Sequence, residues 1–300
     1  MNSFVKEDKN TKYSWIVVMY VLVFLYFLEF LYTLKRQMTL YKTDEKGINF
    51  KKAFLFAMLA FFVLRVVGLS LYIQLIWSDI IPDKWFLPFN TYAEGFSQYV
   101  FATGFTFICV FWAELYYLSN SSMISREHKI RSYRIIGVVN VAMYIILAVL
   151  YILLAIYHNN FAKTKIVHTC EATLSSLRDF CIGLYFLIFG TVFYQRIKKY
   201  KSTSNKFQKV NHKIIMITFI LTVLFFSNSG FVQWYNYQFL LNKNKSFSIS
   251  YLIVFTIDRF IFEVLPSISM VYYISHFKSK KKIELNINEN VPLIKNESNL

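Results

Sequence analysis

Long apolar runs separated by short charged stretches dominate the chain. Seven runs of 21–27 residues stand out, at 14–34, 53–77, 95–117, 135–157, 170–194, 214–237 and 249–275. A mostly apolar run of about 18 residues or more reads as a membrane helix, and at about 1.5 Å per residue each run covers a hydrocarbon core of roughly 30 Å. Six connections of 11–19 residues join them, and none is long enough to hold a soluble domain. Seven such runs buried in a water-soluble core would leave almost no amphipathic surface helix. The pattern therefore predicts an all-α membrane protein, a bundle of seven transmembrane helices over 14–275. The stretch 1–13 forms an N-terminal tail, and 276–300 a basic C-terminal tail. The first run is longer than the apolar part of a secretory leader, and no small-x-small cleavage site follows it. No internal repeat is visible.

Charge orients the bundle. Of 33 Lys and Arg, 22 fall in 35–52, 118–134, 195–213 and 276–300, against eight in 1–13, 78–94, 158–169 and 238–248. Basic residues concentrate on the cytosolic side of a membrane protein. The N-terminus is thus expected outside or in a lumen, and the C-terminus in the cytosol. This asymmetry also accounts for the net charge of +16, which in a soluble protein would suggest nucleic acid. Here it implies attraction to anionic membrane lipid, worth about 1 kcal/mol per basic residue near the surface, and no nucleic-acid partner.

An ionisable residue inside a span costs roughly 2.5–3.5 kcal/mol on insertion scales, so each marks a pair, a cavity or a function. The spans contain Glu29, Arg65, Glu114, Glu171, Arg178, Asp179, Asp258, Arg259 and Glu263. Glu171 sits at a span end, within reach of water. Counted from the cytosolic span ends, Arg65 on the second helix and Glu263 on the seventh both lie about 18 Å up. Arg178 and Asp179 lie at about 22–24 Å, and Asp258 and Arg259 at about 24–26 Å. The matching depths predict an Arg65–Glu263 pair, and the two dipeptides facing each other across the bundle. Glu29 and Glu114 lie lower, at about 5–8 Å, where basic loops can neutralise them. Such charges can fix helix packing and register, line a ligand or ion pocket, or carry protons. Pro266, just after Glu263, is expected to kink the seventh helix.

Several chemistries lack their residues. The five histidines fall in loops by these boundaries, which argues against a metal site. The seventh run has no Lys to bind retinal, and the chain has no phosphate-binding Gly-rich loop or nucleophile elbow. The third run ends Glu114-Leu115-Tyr116-Tyr117, not in the acidic-Arg-aromatic triplet of rhodopsin-like receptors, and the seventh lacks their Asn-Pro-x-x-Tyr. No cofactor and no catalytic residue is expected.

Three stretches resemble a known family. They are Phe111-Trp112-Ala113-Glu114-Leu115-Tyr116, Val63-Leu64-Arg65, and Glu263-Val264-Leu265-Pro266-Ser267 followed by Val271-Tyr272-Tyr273 and a basic tail. Together they resemble the tobamovirus multiplication protein family of seven-span membrane proteins and, more weakly, animal orphan seven-span proteins of lysosomes. The likeness covers nearly the whole chain through span number and order. On it, Arg65, Glu114, Glu263 and Pro266 fall on the family's recurrent polar positions. The chain departs from the family in the sixth helix, with Asn228 where a basic residue is expected, and in loop lengths. The resemblance implies a vacuolar or endolysosomal membrane protein, a scaffold or regulator with no established catalytic activity. In plants such proteins serve as membrane anchors recruited by viral replication proteins.

The tails and loops add candidates. Glu289, Leu293 and Ile294 fit the acidic dileucine pattern that sorting adaptors read as an extended peptide, which favours an endolysosomal over a plasma membrane. Asn244 begins a glycosylation sequon on the outer side, so close to the seventh helix that poor use is expected. The loops 118–134 and 195–213 are basic, suited to anionic lipid or to a cytosolic adaptor, small GTPase or G protein. Three function classes follow: a non-enzymatic endomembrane scaffold or regulator, a receptor-like ligand sensor coupling through those loops, and a transporter using the charges of helices two, five and seven.

Overall fold

The computed structural model describes residues 9–43, 50–78, 83–118, 126–199, 205–241 and 249–276. Helix accounts for 98% of them, and no strand occurs among the described residues. Six helices come first: α1 Lys9–Thr43, α2 Phe50–Ser78, α3 Asp83–Leu118, α4 Arg126–Tyr157, α5 Phe161–Lys199 and α6 Asn205–Leu241. The last rod is composite, with α7 Ile249–Arg259, a π-turn Phe260–Val264 and α8 Leu265–His276. Helices α1–α6 all outrun the predicted spans, because the polar residues flanking each apolar run continue the helix. Consequently His128, His168 and His212 lie within helices rather than loops.

Among the described residues five segments are long and apolar enough to cross a membrane: Tyr13–Lys42, Phe50–Gln74, Tyr133–Tyr157, Ala162–Val192 and Ile215–Trp234. A shorter apolar stretch, Gly95–Phe111, lies within α3. By length and composition this is an α-helical membrane protein. Its surface agrees, since α4 exposes Val138, Val139, Ile145, Val149, Ile152 and Ile156. A continuous apolar face of that size would be costly in water and is ordinary in lipid. Meanwhile polar side chains turn inward, including Glu29, Thr33, Gln37, Arg65, Asp179 and Glu263.

Sequence neighbours pack in order around the bundle. The ring closes where α7 and α8 meet α1, and α3 also touches α5. The core is aromatic. Phe61 meets Phe101 at 4.9 Å, Phe105 meets Phe225 at 5.0 Å, and Phe54 meets Phe105 edge-on at 6.2 Å. Tilted and edge-to-face rings of this kind stabilise beyond the area they bury. Helices α5 and α6 approach most extensively, and small residues allow it. A Cβ on Gly183 would sit 3.1 Å from Phe226, and one on Gly190 only 2.6 Å from Thr218. Close backbone approach at small residues is a main source of helix association in lipid. Between α4 and α5 the chain turns at Asn160, whose Oδ1 accepts from the Lys163 N–H at 3.2 Å. That N-cap satisfies one of the free amides at the start of α5.

The π-turn has a local cause. Proline lacks an N–H and its ring collides with the carbonyl four residues back. Just ahead of Pro266 the helix widens, and the Leu265 N–H donates to the Phe260 carbonyl, five residues back. The expected disturbance at Pro266 therefore takes the form of one wide turn, with Glu263 inside it.

Candidate functional site

Glu263 is the hub of the bundle interior. Its side chain is 1% exposed. Oε2 accepts from the Tyr26 hydroxyl at 2.6 Å and from Arg65 Nε at 2.9 Å. Oε1 accepts from Arg65 Nη2, Gln98 Nε2 and Arg259 Nη1. Donors thus arrive from α1, α2, α3 and α7. Arg259 also lies 3.7 Å from Asp258. Two arginines and two carboxylates make the cluster neutral, and a buried charge needs such pairing to persist in low dielectric. The guanidinium groups rest on rings as well, Arg65 over Phe61 at 5.6 Å and Arg259 over Phe255 at 5.1 Å. Arg65 and Glu263, placed at one depth by residue counting, are in direct contact here.

The second predicted contact takes a different form. Arg178 closes on its sequence neighbour, with Nε donating to Asp179 Oδ1 at 2.9 Å, and lies over the Tyr99 ring at 4.5 Å. Asp179 Oδ2 accepts from Asn228 Nδ2 at 2.8 Å. No ion pair joins Arg178 or Asp179 to Asp258 or Arg259 among the described residues. Depth alone could not foresee this. An Arg beside an Asp on one turn can fold back on it, which leaves the second carboxylate oxygen for a neutral donor on α6.

Two glutamates differ from expectation. Glu171 is buried rather than at the water boundary; it accepts from Ser175 at 3.1 Å. The Cβ position of Gly95 is 3.0 Å from its Oε1 and 2.5 Å from the Tyr151 hydroxyl. Glu29 is buried between α1 and α8, not among basic loops; its Oε2 lies 2.6 Å from Ser267 Oγ. Below it on the same face of α1, Thr33 and Gln37 are buried too. At the start of α2, Lys51 and Lys52 are mostly buried, with Lys52 Nζ 5.1 Å over the Tyr41 ring. On the outer face of α1, Leu31, Leu34, Lys35, Met38, Thr39 and Lys42 line a groove of about 300 Å³.

Sequence reasoning missed Tyr26 and Gln98, and it quoted Asn228 and Ser267 without giving them a partner, because neutral polar residues carry no insertion penalty large enough to stand out. A signal did exist, since Tyr26, Glu29, Thr33 and Gln37 recur at helical spacing on one face. The Glu114 side chain, Asn244, Glu289, Leu293 and Ile294 lie outside the described residues, as do 119–125 of the stretch 118–134 and 200–204 of the stretch 195–213. No group of three or more His, Cys, Asp or Glu is placed to hold a metal ion among the described residues. The chain matches no known family model, no curated protein and no solved structure.

Proposed function

We propose that the chain is a seven-crossing membrane protein, N-terminus outside or lumenal and C-terminus cytosolic, acting as a non-enzymatic scaffold or regulator in an endolysosomal or vacuolar membrane. One observation carries this reading. Glu263 gathers donors from four elements in a neutral cluster, so the midplane charges pair with one another. Such a cluster fixes helix register. Function then falls to the faces the frame presents, namely apolar surface to lipid and the basic loops 118–134 and 195–213 to a cytosolic adaptor, small GTPase or G protein. The groove with Lys35 and Lys42 suits a lipid headgroup above its acyl chain.

A receptor-like ligand sensor is the second reading, favoured by the closed ring in which α3 touches α2, α4 and α5. Imaging and pull-down separate the two. A scaffold gives an endolysosomal or vacuolar signal that moves to the cell surface when Leu293 and Ile294 become Ala, with partner binding that needs no ligand. Plasma-membrane residence of the intact chain, or partner binding that appears only with an external ligand, contradicts the scaffold reading. Substrate flux in liposomes that stops in Glu263→Gln, with folding intact, supports a transporter instead.

A further inference from the structure

We propose that Glu29 is a proton-binding site inside the membrane, reached from the basic end of the bundle by a file of waters along α1 past Thr33 and Gln37. This rests on the reading of α1 as a membrane-crossing helix.

The first observation is a count of hydrogens. Ser267 Oγ lies 2.6 Å from Glu29 Oε2 and 2.9 Å from the Val264 carbonyl oxygen. A hydroxyl has one hydrogen and a carbonyl only accepts. Both contacts are satisfied when Ser267 donates to Val264 and the Glu29 carboxyl donates to Ser267. Glu29 is then a neutral acid. Its surroundings agree. The charged groups on elements packed against α1 are Lys51, Lys52 and Arg65 on α2, Asp258 and Arg259 on α7, and Glu263 in the π-turn. None forms an ion pair with Glu29 among the described residues. An ionised carboxylate buried without a cation is among the costliest groups in hydrocarbon, and such a group neutralises.

The second observation is a row of unanswered polar atoms. Glu29 Oε1, Thr33 Oγ1 and Gln37 Oε1 are fully buried and have no hydrogen-bond partner among the described residues. Their residues are 5%, 1% and 6% exposed. They recur every four residues, a rise of about 6 Å per step. Two hydrogen bonds of about 2.8 Å meeting at one water oxygen span roughly 4.5–5.6 Å, and the reach of the side chains closes the remainder, so one water bridges each step. Buried water characteristically answers such groups. The row runs from Glu29 toward Lys51 and Lys52. At its other end, one turn up α1, Tyr26 donates to Glu263. The proton store thus abuts the central ion cluster.

Infrared spectroscopy of the full chain in lipid bilayers tests this at neutral pH. The expected result is a carboxylic-acid C=O stretch that is lost in Glu29→Gln and shifts in Ser267→Ala. On transfer to D₂O the band shifts as its proton exchanges. Thr33→Val with Gln37→Leu should keep the band and slow that exchange by about tenfold or more, the effect expected for removing one buried hydrogen-bonded step. A spectrum unchanged in both Glu29→Gln and Ser267→Ala overturns the site. Exchange indifferent to Thr33 and Gln37 overturns the path. A chain that fails to insert into the bilayer overturns the membrane reading instead, so the two failures are distinguishable.

Discussion

Replacing Glu263 with Gln should destabilise the bundle by about 3–5 kcal/mol, the usual cost of breaking a buried ion pair from one side. The substitution keeps size and shape but removes the charge on which Tyr26, Arg65, Gln98 and Arg259 converge. Arg65 and Arg259 would then share one carboxylate, Asp258, which lies 3.7 Å from Arg259. With Arg65 and Glu263 only 3% and 1% exposed, solvent screening removes little of that cost. Against a total stability of roughly 5–15 kcal/mol, such a loss is large. The decisive comparison is a double-mutant cycle with Arg65→Met. Removing both partners leaves Arg259 and Asp258 as a balanced pair. The double variant should therefore lose about 1–3 kcal/mol less than the sum of the singles. Unfolding in mixed micelles, followed by tryptophan fluorescence, measures all four proteins. Strictly additive losses, or a Glu263→Gln change under about 1 kcal/mol, would falsify the claim that this cluster clamps the helices.

Three further outcomes follow from the same geometry. Asp179→Ala should cost about 3 kcal/mol or more by leaving Arg178 buried without its carboxylate, whereas Asn228→Leu should cost about 1–3 kcal/mol because one acceptor goes unanswered; equal, negligible losses in the same unfolding assay would contradict the pairing. Gly137→Ala should stabilise by roughly 0.5–1 kcal/mol, since nothing lies within 4 Å of its Cβ position. Gly95→Ala, by contrast, must displace Tyr151 and Glu171 and should lower thermal stability, by an amount in the roughly 1–3 kcal/mol range of overpacked cores.

The helical class was largely legible because long apolar runs read as helices. Each of the seven runs falls within helical structure, but among the described residues only five segments are long and apolar enough to cross a membrane; polar flanks prolong the helices past the runs, and a π-turn interrupts the last rod. The Arg65–Glu263 contact was legible for a related reason: two costly charges at one depth have few ways to be neutralised. The Arg178–Asp179–Asn228 group was not, because a side chain can turn to its neighbour as readily as across the bundle. Nor was the burial of Glu171 and Glu29. Rise per residue gives depth, but whether a face points to lipid, loop or core depends on how its neighbours pack. Ser267 decides the setting of Glu29 from 238 residues away in sequence.

The most direct test is protease protection of tags placed at the two ends of the chain, in sealed vesicles with the cytosolic face outward. Seven crossings put the ends on opposite sides: the N-terminal tag survives and the C-terminal tag is digested, until detergent opens the vesicles and both are lost. Digestion of both tags in sealed vesicles would mean an even number of crossings. It would then separate the basic loops and the tail from the single cytosolic face on which the scaffold reading depends.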